Sequence, residues 1–314
     1  MRKVKNYTMA ALILGMSLSL TACGDAGSNN RSRDDETVQV TESVTETPKE
    51  IIDSELYDSF INNEAKALFR SKTGIRTATT FNIGTALEEG ESYTIKQIVF
   101  LLQSKGNIPK SVEPDITYDR IDCGSDGVQE LLVKFSLGNT EMDMIIKDID
   151  GELVICYAEE CNFSKDLPQG YFEFTLNPDG TSERFFFSKG RTEMEEYSYV
   201  DGNGDYHLYY GLEKTTRFVM DYTVETGGKK VKVWPDGLDG EHIVLYDYHF
   251  SDDEHFISYS MIDDNGNDIT TDADYEDSNA VKKRFAESGV TTYSKKEIED
   301  MLSERAKEIG YPAK

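Results

Sequence analysis

Runs of alternating apolar and polar residues, broken by Asp-Gly turns, constrain the fold of this chain more than any other feature. Val244, Tyr246, Tyr248 and Phe250 fall two apart, as do Phe172, Phe174 and Leu176. That period places one set of side chains on one face of a strand. Between such runs stand Asp150-Gly151, Asn177-Pro178-Asp179-Gly180 and Asp201-Gly202-Asn203-Gly204. Asp-Gly accommodates the positive φ of a two-residue hairpin, and Pro followed two residues later by Gly suits a type I turn. Connections this short join antiparallel neighbours. The pattern predicts strands over 129–136, 141–148, 152–158, 171–176, 182–188, 193–200, 205–210, 215–225, 241–250 and 256–262. Starting from Asp126, the Asp-Gly turns recur at uneven steps of 24, 29 and 22 residues, which leaves a few propeller-like blades open.

Helical spacing flanks this region. Ile52, Leu56, Phe60, Ile61, Ala65 and Leu68 predict a helix from Ile51 to about Arg70. Thr94 and Gln97 form a capping-box pattern ahead of the stripe Ile95, Ile98, Val99 and Leu102. Near the end, Ala280, Val281 and Phe285 mark one helix stopped by Gly289. Ser294 and Glu297 cap another, lined by Ile298, Met301, Leu302 and Ile309 and closed by Gly310. The expected class is α+β: N-terminal helices, a central antiparallel β-meander and C-terminal helices. Residues 51–314 would form the domain, with sub-lobes 51–110 (helical), 111–270 (β-rich) and 271–314 (helical).

The first residues give an address. Arg2, Lys3 and Lys5 precede the mostly apolar run Met9–Leu20. This is the layout of a secretory signal, and the run is shorter than the ~20 residues of a membrane span. Leu20-Thr21-Ala22-Cys23 follows and resembles the lipobox of bacterial lipoproteins. The resemblance implies removal of residues 1–22, lipidation of Cys23, and attachment to a cell membrane on the side facing away from the cytoplasm. Each buried acyl methylene contributes about 0.8 kcal/mol to such an anchor. Residues 24–50 are rich in Ser, Thr, Asn, Asp and Glu, so 23–50 reads as a lipidated cysteine with a disordered tether. As a coil it would reach roughly 30 Å.

Charge then excludes a class of partner. Removing residues 1–22 takes away Arg2, Lys3 and Lys5 and no acid, so the net charge of −26 becomes −29. A surface this acidic repels phosphate backbones, which argues against nucleic acid, and repels anionic lipid, so membrane attachment falls to the lipid. Cys123, Cys156 and Cys161 remain after Cys23. They are an odd number without a CxxC pair and are expected as free, mostly buried thiols, with at most one internal disulfide.

The most distinctive internal stretch is Tyr118-Asp119-Arg120-Ile121-Asp122-Cys123-Gly124-Ser125-Asp126-Gly127-Val128-Gln129-Glu130-Leu131. It approximates D-x-D-x-D-G-x-x-E, with oxygen donors available from Asp122, Asp126, Glu130 and the backbone at Val128. Calcium takes six to eight oxygens, and such a loop can close around it. Gly124 supplies no side-chain oxygen at the third position, and an Asx-rich turn leading into a strand accounts for the same residues. The segment resembles the calcium loops of FG-GAP propeller blades. With the Tyr57-x-x-Phe60 helix it looks like a group of uncharacterised bacterial lipoproteins that carry IDCGxDGxxEL.

His249 and His255 flank a predicted hairpin tip, Ser251-Asp252-Asp253-Glu254. Zinc would need such nitrogens and a carboxylate to converge, and no HExxH-type spacing enforces it. Tyr197 and Tyr199 share one strand face, as do Tyr246 and Tyr248. If exposed, such rows could stack on sugar rings; if buried, they are sheet core. GxSxG, GxxxxGK[ST] and GxGxxG are absent from the sequence, and no catalytic residue stands out. The expected function is a non-catalytic binding or interaction module for a glycan, a cell-wall component or a surface protein. The alternative is a surface hydrolase of glycan or peptide bonds that uses paired carboxylates.

Overall fold

The computed structural model describes residues 51–70, 86–105, 113–137, 140–162, 170–188, 192–216, 223–226, 229–232, 238, 241–251 and 253–312. The leader, Cys23 and the tether lie outside them. The described residues belong to one compact unit, Pro48–Lys314.

Helix α1 (Glu55–Ile61) starts at Ser54, whose hydroxyl accepts from the Leu56 N–H at 3.1 Å. It does not continue to Arg70 as the apolar spacing suggests. Asn63 turns into the left-handed region at φ 64°, and the chain re-emerges as strand β1 (Ala67–Phe69). The pairing that captures β1 is long-range: Ala67 lies beside Leu153 and Phe69 beside Ile155, in parallel. Strand β2 (Ser92–Tyr93) leads into helix α2 (Ile95–Lys105). The expected capping box is present there. The Thr94 N–H donates to Gln97 Oε1 at 2.9 Å, and the Gln97 N–H donates to Thr94 Oγ1 at 3.4 Å.

A meander follows: β3 (Asp115–Ile121), β4 (Glu130–Leu137), β5 (Thr140–Ile149) and β6 (Glu152–Asn162). Their order in the first sheet is β2-β1-β6-β5-β4-β3, antiparallel except for β1 against β6. The second sheet is a longer meander of β7 (Gly170–Leu176), β8 (Thr181–Ser188), β9 (Thr192–Val200), β10 (Tyr206–Thr216), β13 (Ile243–Ser251) and β14 (Glu254–Met261). A two-stranded ribbon, β11 (Thr223–Thr226) with β12 (Lys229–Lys232), is inserted between β10 and β13. The single strand expected over 215–225 is therefore corrected. Its first two residues extend β10 and its last three open β11, with 217–222 outside the described residues. Helices α3 (Ala280–Glu287) and α4 (Lys295–Ile309) close the chain, and the Ser294–Glu297 capping box forms as expected. The α+β meander is thus realised as two open sheets, and the described residues form neither a closed barrel nor a propeller.

The first sheet is buried on both faces. Leu131, Val133, Met144, Ile146 and Ile155 pack with Tyr57 and Phe60 of α1 and Ile98 and Leu102 of α2. Leu132, Ile145 and Tyr157, on the opposite face, meet Phe174 and Val200 of the second sheet. A strand apolar on both faces loses its alternation, hence the continuous Leu131-Leu132-Val133. The second sheet buries its β13–β14 end on α3, through Leu245, Ile257, Tyr259 and Phe285. No described helix is long and apolar enough to cross a membrane.

Candidate functional site

Three of the turns read from the sequence meet in space. The Asp122 N–H donates to Pro178 O at 2.9 Å, the Gly124 N–H to Asp179 O at 3.1 Å, and the Val200 N–H to Gly180 O at 3.0 Å. Gly124 is required by this contact: it takes φ +75°, and a Cβ there would lie 2.6 Å from the Gly202 nitrogen. The loop carboxylates serve the loops themselves. Asp122 accepts from the Gly127 N–H at 3.1 Å, and Asp126 Oδ1 accepts from the Val128 N–H at 2.7 Å. Asp201 Oδ1 accepts from Asn203 and Asp205, and its Oδ2 lies 3.0 Å from His207 Nε2.

Glu130 points inward, not toward the loop. It is fully buried, accepts from the Cys123 N–H at 2.8 Å and forms an ion pair with Lys147 of β5. Burial pushes its carboxyl up, while Lys147 and the Cys123 N–H pull the other way. Asp122, Asp126 and Glu130 therefore do not gather around one point. Among the described residues, the only group of three potential ligands with donor atoms within 4.8 Å of one another is elsewhere, at Asp247, His249 and His255. The calcium reading of Asp122, Asp126, Val128 and Glu130 gains no support from this geometry. Cys123 and Cys156 are buried free thiols. Burial drives both thiols up, Cys156 to about 12, so neither forms a thiolate at neutral pH. The Cys161 side chain lies outside the described residues.

The tyrosines divide into core and surface. Tyr199 is 3% exposed, donates its hydroxyl to Ile309 O and stacks on His207 at 4.9 Å. It is structural. Tyr246 and Tyr248 are half-buried on one face of β13, with Tyr248 tilted against Tyr210 at 6.1 Å. Tyr197, by contrast, lines a groove of about 730 Å³ between the β9–β10 face and α4. The other aromatic walls are Tyr209, Tyr210 and Tyr311, facing Leu302, Ala306 and Lys307 of the helix.

Two local devices build this groove. A bulge between Leu208 and Tyr210 shifts the register of β10 against β9. Consecutive strand residues normally face opposite ways, and a bulge re-aims one of them. Tyr209 and Tyr210 therefore both reach the groove, Tyr210 stacked on Tyr197 at 4.7 Å and Tyr209 on Tyr311 at 4.2 Å. The second device is the end of α4. Gly310 adopts φ 71°, the Tyr311 N–H donates to Ala306 O at 2.8 Å, and the Tyr311 ring is set across the groove. Burial pushes its phenol up to about 12. Its hydroxyl is buried without a hydrogen-bond partner, which leaves one polar group at the wall unsatisfied. The tyrosine spacing was legible in the sequence. The bulge that doubles the aromatic density was not, and Tyr209, Tyr210 and Tyr311 were missed.

A second, smaller cavity of about 360 Å³ lies between β3–β5 and β7, lined by Asp115, Lys134, Glu141 and Asp143 among others. Burial raises the Asp143 carboxyl, with Lys134 at 4.0 Å opposing the shift and Glu141 adding to it. Glu141 and Asp143 stand two apart on one strand and so share a face. Compared with known protein families, characterised proteins and solved structures, the chain matches none.

Proposed function

We propose that this protein is a lipid-anchored module on the outer side of a cell membrane that binds a neutral glycan of its surroundings. The tyrosine groove carries the reading. Its volume falls in the range of ligand clefts, roughly 300–1,000 Å³. Among the described residues its only charged lining residue is Lys307, in a chain of net charge −26. Aromatic faces interspersed with hydroxyls suit the C–H faces and hydroxyl rims of sugar rings, whereas an anionic polymer would meet a repulsive surface. The anchor at Cys23 is an independent part of the reading and supplies the location.

Calorimetric titration of the intact chain with neutral oligosaccharides of hexose and N-acetylhexosamine units tests the groove. Saturable binding that weakens about tenfold or more in both Tyr197→Ala and Tyr209→Ala is expected, equivalent to at least ~1.4 kcal/mol each. Absence of saturable binding across the panel overturns the glycan assignment. Incorporation of a fatty-acid analogue that is lost in Cys23→Ala tests the anchor.

The smaller acidic cavity favours a second reading, a glycan hydrolase with Asp143, whose carboxyl burial raises, as the acid and Glu141 as its partner. It requires release of new reducing ends that stops in Asp143→Asn, with the tyrosine variants affecting KM first.

A further inference from the structure

The second sheet holds another polar cluster, one register position from groove-lining Tyr210, since His249 pairs with Gly211. Asp247 and His249 sit two apart on β13 and point to the same face. His255 of β14 lies directly opposite His249 in the hairpin register. The two imidazole rings are 5.6 Å apart, and His255 Nδ1 lies 2.9 and 3.0 Å from the two oxygens of Asp247. Donor atoms of all three residues lie within 4.8 Å of one another. Residue exposures are 1% for Asp247 and 7% for His249, and the His255 side chain is 15% exposed. The same face continues into the apolar cluster of Ile243, Leu245, Ile257 and Tyr259.

The neighbouring strand has been hollowed to admit this cluster. Gly211 of β10 pairs with His249, and a Cβ at Gly211 would come within 2.0 Å of His249 Nε2. Glycine inside a strand weakens it and often marks a close approach. Here it makes the space that a buried imidazole occupies. A carboxylate at the edge of an apolar core is costly unless its charge is neutralised.

We propose that Asp247, His249 and His255 bind one divalent transition-metal ion of the zinc class through two imidazole nitrogens and one carboxylate oxygen. Nitrogen donors suit zinc and its neighbours, whereas calcium and magnesium take oxygen donors. Zinc bonds of about 2.0–2.1 Å in a tetrahedron put donors about 3.4 Å apart, so the His255–Asp247 pair, now at 2.9 Å, opens slightly while the wider separations, within 4.8 Å, close around the ion. Coordination through Nδ1 of His255 requires that nitrogen to give up its proton: a neutral ring carries it on Nε2 instead, and an imidazolium ring releases it to solvent. Three protein donors leave one position for water, and the partial exposure of His255 gives an opening to solvent. The net negative surface concentrates cations near that opening.

Cobalt(II) reads this geometry directly. Titrating the intact chain with Co²⁺ is expected to give visible d–d absorption saturating at one ion per chain, displaced by Zn²⁺ and untouched by Ca²⁺. His255→Gln is expected to weaken binding about 100-fold or more, whereas His242→Gln, at an exposed histidine paired with Asp264, leaves it unchanged. Paramagnetically shifted imidazole resonances from two histidines in the wild-type cobalt form give a readout that needs no variant. Absence of d–d bands up to millimolar Co²⁺, bands retained in His255→Gln, or fewer than two shifted imidazoles overturns the site and leaves a buried hydrogen-bond network.

Discussion

The two six-stranded sheets share a meander topology but not a chemistry. The first is covered by helices on one face and by the second sheet on the other, and its buried positions are mostly aliphatic. Its polar interior residues are closed pairs, such as Glu130 with Lys147. Tyrosines, histidines, serines and acids crowd the second sheet, and only part of it lies under apolar cover. Ser182 and Ser198 are hydrogen-bonded at 2.6 Å, Tyr197 stacks on Tyr210, and Asp247 contacts His255. On the proposed reading, recognition falls to the sheet that lines the tyrosine groove, and the first sheet serves as its support.

That division can be broken by substitution. The largest loss is expected from Lys147→Met in the first sheet, which strands the fully buried Glu130 carboxylate: about 3–5 kcal/mol, read by urea denaturation. A loss below about 1 kcal/mol would show that the pair is not integral to the scaffold. Tyr57→Phe comes next. The Tyr57 hydroxyl donates to Gln129 O at 2.9 Å and accepts from the Asp148 N–H at 3.0 Å, tying α1 to β4 and β5. Removing it leaves two half-buried backbone groups without that partner, for about 1–2 kcal/mol.

In the second sheet, Tyr199→Phe removes one hydrogen bond to Ile309 O, and about 1 kcal/mol is expected. Thermal unfolding followed by near-UV circular dichroism would show it. The Tyr197→Ala and Tyr209→Ala variants should alter stability less than Lys147→Met while reducing binding; the reverse order would collapse the distinction between support and recognition surface.

The smallest effect depends on pH. Burial tends to raise the Asp201 carboxyl, but the His207 hydrogen bond and the Asp205 and Asn203 N–H groups outweigh it and hold it below the usual range. A folded-state pKa below the unfolded one stabilises above the unfolded value, about 3.9, and the gain fades as pH falls through the folded value. Asp201→Asn should therefore be less stable than wild type at neutral pH. The two should converge as pH falls through the folded-state value, as measured by urea midpoints across acid pH. A difference that persists in acid would assign the effect to packing of the turn.

Much of the architecture was readable before folding. Period-two alternation located the strands of the second meander, and Asp150-Gly151 turns as expected, with positive φ of 55° and 85°. Ser294 with Glu297, and Thr94 with Gln97, began the helices they promised, because capping is a contact between residues three apart. The reading failed where a distant partner decided the outcome. Leu68 fits a helical stripe from Ile52, yet β1 is drawn into a sheet by β6, some 85 residues later. Spacing was also silent on the partner of Glu130, whose carboxylate pairs with Lys147 of β5.

The sequence by itself determined the local quantities: where the chain turns, where helices begin, which side chains share a strand face, and a strongly acidic net charge. Only the tertiary structure decided which face is covered. It separated buried Tyr199 from groove-lining Tyr197, re-aimed Tyr209 through a bulge, and brought His255 across a hairpin to His249 over the gap left by Gly211. Periodicity fixes a side chain's direction from its own backbone. Burial and convergence depend on which other backbone arrives opposite, and no short window of sequence contains that information.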